Sequence, residues 1–407
     1  MGSLFFSVQL ILILWICPEK TGIQSWLNLA SHWDSAWYAS IAKMGYLKNQ
    51  GAMRIGLDST NVAFFPGYPY FARAIRLLSG VDVKVALLLV SQGAALLFWC
   101  FLFHVLRDIA WQKQLYAAIL IVSFPTSWFL FMGYSESLFI LAACLMLWCV
   151  TQRRWVLAGL SGLVMTGTRI LGVPVLIAPL LANIWVHFPG VKAFFCLKQI
   201  RSDLKTNAPF LGVVLAGSLG CLAFLIYCAV YLGSWHLYFD VERIYWAGTA
   251  DPLFLFKVPT WMPPPLGYAL DWAGPLPNAY GSLFIFKFFQ LAAYSFSEAL
   301  VPFFLWFFIF YSINLWRKNN LLDHKILTWY FAALLLFLFS CFSLSTRYYE
   351  SMSRCLYPVW ILFVVSDVLQ PKQYSLFTKI TMPIVILISS AFWLQLLNRY
   401  FLGWWVA

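Results

Sequence analysis

Eleven apolar runs limit what this chain can fold into. They fall at residues 4–17, 84–106, 115–132, 135–150, 156–168, 171–188, 209–232, 290–314, 326–344, 355–370 and 380–402. So many runs leave more apolar surface than one water-soluble core can cover, whereas in a bilayer each can form a helix that satisfies its own backbone groups. The 407 residues are 62% hydrophobic and only 10% charged, far below the roughly 25% charged residues of soluble domains. The sequence therefore predicts an all-α polytopic membrane protein of about eleven transmembrane helices, with residues 1–407 forming a single integral domain. Several runs are shorter than the about 20 residues of a full span, and those meeting near residues 167–172 read as a bent or re-entrant element.

Charge placement sets the expected topology. With the N-terminus in the cytoplasm, the inner loops are residues 107–114, 152–154, 191–206, 317–325 and 371–379. They hold thirteen of the chain's 27 basic residues, among them Arg107, Arg153, Arg154, Arg201 and Lys372. That agrees with the positive-inside rule. The formal net charge of +12 is then a topology signal with attraction to anionic membrane lipids. No stretch interleaves basic and aromatic residues as a nucleic-acid surface does, so nucleic acid is not expected as a partner. The first run lacks a basic leading region and a small-residue cleavage site, and reads as a retained span. The nine cysteines lie in or beside apolar runs without CxxC spacing and read as packing residues. HExxH, GxxxxGK and GxGxxG are all absent, so no zinc, P-loop nucleotide or dinucleotide site is suggested.

On this topology residues 18–83 and 233–289 form two large loops on the extracytoplasmic face. The first holds HWDSAWYASIAKMGY, residues 32–46, which reads as an amphipathic interfacial helix. At helical spacing Trp33, Trp37, Ile41 and Met44 share one face, with Asp34, Tyr38 and Ala42 on the adjoining one. Tryptophan and tyrosine favour the headgroup layer, so such a helix holds Asp34 at the boundary of hydrocarbon and water. The same residues also fit a capping box, in which Asp34 only satisfies backbone N–H groups at a helix start. After a polar stretch, Phe64-Phe65-Pro66 and Tyr68-Pro69-Tyr70 form an aromatic, proline-stiffened turn leading into a helix with Arg73 and Arg76.

Further charges fall on the same side. Tyr134 and Glu136 lie in the short turn MGYSES, where Glu136 serves either a site or the positive end of its helix. Arg169, in TGTRILGVP, is the one charge inside a long apolar tract, and intramembrane charge points to function unless it snorkels to the surface. The second large loop holds Asp240, Glu242, Arg243, Asp251 and a Trp-Met-Pro-Pro-Pro run at 261–265, with no motif that names a ligand. SLSTRYYESMSRCLYPVW places Arg347, Glu350 and Arg354 near the outer ends of apolar helices, and two fixed cations there suit a phosphate.

A carboxylate with nearby cations at the lipid boundary, and no nucleotide site, suits transfer from a donor whose leaving group is a lipid-held phosphate. Asp34 would take the proton of an acceptor hydroxyl as it attacks the anomeric carbon from the face opposite the phosphate, with inversion. Arg354, Arg347 and Arg169 would stabilise the departing phosphate.

At these residues the chain resembles the PIG-V family of lipid-linked mannosyltransferases and its prokaryotic relatives. The resemblance rests on HWDSAWYASIAKMGY, AFFPGYPYFARAI, GYSESLF, TRILG and RCLYP in that order, and runs from about residue 30 to residue 370. It implies a C-type glycosyltransferase fold, a polyprenyl-phosphate-mannose donor and, as base, the acid of the Trp-Asp motif, here Asp34. Tyr38, Gly45 and Tyr46 match the first motif, Phe65 and Pro66 the second, and Glu136, Arg169 and Arg354 the later ones. Tyr38, Tyr46, Phe65, Tyr134 and Glu136 are thus expected to line the substrate site. Cys355 stands where an aromatic commonly follows the arginine, and Gly67 where a larger apolar residue is usual. The resemblance implies no metal and no cofactor, and leaves a glycan or glycolipid acceptor unspecified. The short length and compact loops favour a prokaryotic plasma membrane over the endoplasmic reticulum. A transporter or flippase of lipid-linked sugars, or a non-catalytic assembly subunit, is the competing reading. Transporters often carry inverted repeats and midplane charge; here no repeat is evident and the charge lies outside.

Overall fold

The structure is a computed structural model and describes residues 1–16, 23–46, 61–187, 197–245, 253, 296–317, 323–343, 352–370 and 376–401. Arg347, Glu350, Asp251 and the proline run at 261–265 lie outside the described residues, as does most of the polar stretch after Tyr46. Among the described residues the regular structure is helical. The helices are α1 (Gly2–Ile16), α2 (Ile23–Leu29), α3 (Asp34–Met44), α4 (Gly67–Ser79), α5 (Val83–Val105), α6 (Trp111–Val122), α7 (Glu136–Thr151), α8 (Trp155–Thr168), α9 (Gly172–His187) and α10 (Leu197–Tyr231). They continue with α11 (Leu237–Tyr245), α12 (Phe296–Arg317), α13 (His324–Ser343), α14 (Met352–Val368) and α15 (Leu376–Phe401).

Every predicted apolar run holds a helix, and among the described residues three are long and apolar enough to cross a membrane: Val83–Val105, Thr206–Tyr231 and His324–Phe342. Shorter apolar helices accompany them, including α1, α7 and α8. This is a multi-pass integral membrane protein. The run at 115–132 is not one continuous helix: α6 stops at Val122, and after Pro125 the chain makes a short 3-10 helix, Ser127–Phe131. Proline removes a backbone donor and crowds the preceding turn, which accounts for the stop. The inner loop expected at 191–206 is helical from Leu197, because α10 continues well past its apolar part.

Two contact regions position the site. Along α8 and α10 small residues let the backbones approach, as small residues do between membrane helices. A Cβ on Gly220 would stand 2.1 Å from the carbonyl oxygen of Leu163 and 2.6 Å from the amide of Gly167. The Thr166 hydroxyl donates across this seam to the Gly217 carbonyl at 2.5 Å. Elsewhere α14 is fixed by aromatic packing and by the Trp360 indole, which donates to the Leu120 carbonyl at 2.9 Å. Phe307 meets Phe363 edge-on at 4.3 Å and Phe124 stacks on Tyr357 at 5.3 Å.

Candidate active site

Four charges meet where helices begin or end. Asp34 opens α3, Glu136 opens α7, Arg354 lies in the first turn of α14, and Arg169 is the extended residue between α8 and α9. Helix starts carry partial positive charge, which favours an anion beside them. The chain brings these ends together by tying two short segments side by side. The Gly133 amide donates to the Ala30 carbonyl at 2.8 Å, the Tyr134 hydroxyl donates to the His32 carbonyl at 2.9 Å, and the Tyr38 and Ser135 hydroxyls bond at 2.9 Å. A Cβ at Gly133 would fall 2.5 Å from the Ser35 hydroxyl and 3.3 Å from the Ala30 carbonyl oxygen, so a larger residue there would have to displace Ser35.

Arg354 bridges the two acids. Its Nη1 lies 2.7 Å from Asp34 Oδ2 and its Nε 3.0 Å from Glu136 Oε1, while Glu136 Oε1 also receives Arg169. Side-chain exposure is 3% for Asp34, 1% for Glu136, 10% for Arg354 and 15% for Arg169. Two carboxylates and two guanidiniums make the cluster formally neutral, which is what makes burial of four charges tolerable. The guanidinium of Arg354 also sits over the rings of Phe129 and Tyr134 at 5.5 and 5.4 Å, a cation–π contact on each. Arg169 Nη2 lies 3.8 Å from the Cys355 sulfur, a contact the small thiol permits.

The cluster is incompletely satisfied. Among the described residues Asp34 Oδ1 and Glu136 Oε2 are buried without a hydrogen-bond partner. The Arg354 Nε and Nη1 are close to their carboxylates but not aimed at them as hydrogen bonds. Buried polar atoms are normally paired, and these four, all on charged groups, leave the cluster with capacity for a ligand. Trp33, just before Asp34, has a left-handed φ of 54° with ψ of −118°, a conformation costing about 1–3 kcal/mol that is held where the surroundings demand it.

The other expected residues divide. Tyr38 is buried beside the cluster, and burial followed by the Glu136 charge pushes its hydroxyl well above the usual tyrosine range, keeping it a proton donor. Tyr134 lies under Arg354. Tyr46 does not present its hydroxyl to the charges: it donates to the Phe64 carbonyl at 2.5 Å, and its ring packs on Phe224. Phe65 packs on Phe224 and, edge-on, on Tyr238 at 5.0 Å. The helix at 34–44 is amphipathic as expected, with Trp33 and Met44 exposed and Asp34 and Tyr38 buried. Ile41 departs from that expectation and is fully buried, because the face packed on α4 and α5 is wider than the spacing indicated. The N-cap of α3 is Trp33, and it makes no side-chain cap hydrogen bond.

Gly67, where the resemblance leads one to expect a larger residue, opens α4 against the last turn of α8. A Cβ there would lie 2.7 Å from the Gly167 carbonyl oxygen and 2.8 Å from the Thr168 hydroxyl. This contact seats the backbone immediately before Arg169. Sequence reasoning assigned no role to Phe129, Ser135 or Glu242. Phe129 gave no signal among so many aromatics, whereas a carboxylate at helical spacing from Tyr238 and Val241 was readable.

No family model matches this chain. It is 31% identical over 130 residues to the GPI alpha-1,6-mannosyltransferase 2 of Homo sapiens, which is distant homology over 29% of this chain. The match spans about a quarter (24%) of that relative's length. Among solved structures, the archaeal oligosaccharyltransferase AglB from Archaeoglobus fulgidus, in complex with an inhibitory peptide and a dolichol-phosphate, aligns with 97% of this chain and 55% of its own. At a TM-score of 0.38 and 12% identity, that likeness adds no weight to the fold or the function.

Proposed function

We propose that this protein is an inverting glycosyltransferase of the C-type fold that moves a mannosyl residue from a polyprenyl-phosphate donor to an acceptor hydroxyl on the extracytoplasmic side. The observation that carries the reading is the buried Asp34, one oxygen held by Arg354 and the other free. The distant homology to a mannosyltransferase supports the choice of sugar. In this scheme the donor phosphate takes hydrogen bonds from Arg354, whose N–H groups are not aligned on their present partners, and so displaces Asp34. Donor binding thereby frees the base. The acceptor oxygen attacks the anomeric carbon, its proton goes to Asp34, and the bond from that carbon to the phosphate oxygen breaks with the electron pair leaving on the phosphate. Arg354 and Arg169 hold the charge that develops there, with Arg347 a further candidate ligand. Glu136 keeps both described arginines in place, and Tyr38 and Tyr134 pack beside the charges, with Phe65 and Tyr46 one layer further out.

Purified protein in lipid nanodiscs with radiolabelled polyprenyl-phosphate-mannose tests this. Sugar release or transfer by the wild type, abolished in Asp34→Asn, is the expected result. Lipid or solute movement without turnover would replace the reading with transport.

A further inference from the structure

Helix α11 divides its charges between two faces. His236, Asp240 and Arg243 pair with one another at its exposed surface. Tyr238, Val241 and Glu242, at helical spacing, share the opposite face. On that face Tyr238 and Val241 are buried, and Tyr238 meets Phe65 edge-on at 5.0 Å. Glu242 is thus a carboxylate in a position where an apolar residue would be expected. It is only partly exposed, and Asp34, Arg169 and Arg354 act on it electrostatically. The solvent-side ion pairs of α11 offer it nothing.

We propose that Glu242 belongs to the site and binds sugar hydroxyls. The assignment rests on the glycosyl-transfer reading and deepens it. A carboxylate within the field of Asp34 adds to the repulsion of a phosphate, so its partner is the uncharged, hydroxyl-rich part of a substrate. Ring hydroxyls also suit the neighbouring Tyr238 and Phe65, which give an aromatic wall beside a polar anchor. Burial, then the Asp34 charge, pushes the Glu242 carboxyl up to about 7, while Tyr238 and the arginines oppose that rise. At neutral pH the group is therefore mixed between a hydroxyl-accepting and a hydroxyl-donating form, either of which can pair with a sugar O–H. Those hydroxyls can belong to the donor's sugar or to the acceptor's.

The test is binding in nanodiscs to three probes: mannosyl-phosphopolyprenol, bare polyprenyl phosphate, and methyl α-mannoside added with the bare lipid phosphate bound. Glu242→Ala is expected to leave bare polyprenyl phosphate at its wild-type affinity and to weaken one sugar probe by about ten- to hundredfold, the loss of a hydrogen bond to a charged group. Weakening of the mannosylated lipid assigns Glu242 to the donor sugar, and weakening of methyl α-mannoside assigns it to the acceptor. Glu242→Gln, which keeps an accepting oxygen, recovers most of the loss and controls for folding. Wild-type affinities for both sugar probes in Glu242→Ala, or equal loss of the bare lipid phosphate, overturn the assignment. Turnover is read separately: a wild type that binds mannosylated lipid without transferring or hydrolysing it defeats the glycosyl-transfer reading while the probe affinities still judge Glu242.

Discussion

The α8–α10 seam and the Asp34 cluster are both places where an apolar bundle buries polar chemistry, and they treat it in opposite ways. Along the seam Thr166 donates to the Gly217 carbonyl, and where α9 meets α10 the Asn183 amide donates to the Asn207 side-chain oxygen at 2.8 Å. Around Asp34 two carboxylate oxygens and two guanidinium nitrogens are buried without aligned partners. A half-satisfied buried network costs more than a matched one. The contrast separates polar residues that hold helices together from polar residues kept available for a ligand.

The largest effect is expected from Asp34→Asn, which removes the base and keeps its shape. Transfer should fall by about 10² to 10⁴, with only a modest drop in melting temperature, since the neutral amide keeps the shape and Arg354 keeps Glu136 as its counter-ion. A protein that melts much lower would make the cluster structural, like the seam.

Next comes Arg354→Ala. Removing one partner leaves Asp34 and Glu136 buried together, which costs about 3–5 kcal/mol of stability when a pair is fully buried and somewhat less at 10% exposure. Donor KM should rise by one to two orders of magnitude, and the double variant with Asp34→Asn should regain part of the stability. An unchanged donor KM would remove Arg354 from the phosphate site.

Gly220→Ala sharpens the comparison from the other side. The added Cβ meets backbone atoms at 2.1 and 2.6 Å, so the seam must open, at a cost of about 1–3 kcal/mol. Thermal denaturation should report that loss, while kcat per folded molecule stays at the wild-type value.

The smallest effect concerns pH. Glu242, faced by Asp34, Arg169, Arg354 and Tyr238, holds its proton up to about 7 rather than the model-peptide value of 4.5. The folded state then binds more protons than the unfolded state between these values, so stability falls as pH rises through that window and levels off above about 7. Glu242→Gln should flatten that slope in melting curves taken from pH 4.5 to pH 7.5.

How much of this is legible in the sequence depends on whether a signal is local. The apolar runs are local, and every one holds a helix; Asp34, Glu136, Arg169 and Arg354 stand out as charges at the ends of apolar segments, and the fold links all four in one chain of ion pairs. What escapes is orientation. Whether Glu242 faces inward depends on how α11 rotates against Phe65. Tyr46 looks like a site residue until its hydroxyl is seen bonded to Phe64. Ile41 turns inward because α4 and α5 widen the buried face. The stop at Val122 is readable in principle from Pro125, but an unbroken apolar run conceals it.

The account's central claim is that a lipid phosphate replaces Asp34 on Arg354. A cryo-EM structure of the wild-type protein with bare polyprenyl phosphate tests it most directly. The account predicts phosphate oxygens in hydrogen-bond contact with Arg354 and Asp34 withdrawn from it. A headgroup bound elsewhere, with Arg354 Nη1 still 2.7 Å from Asp34 Oδ2, would contradict it.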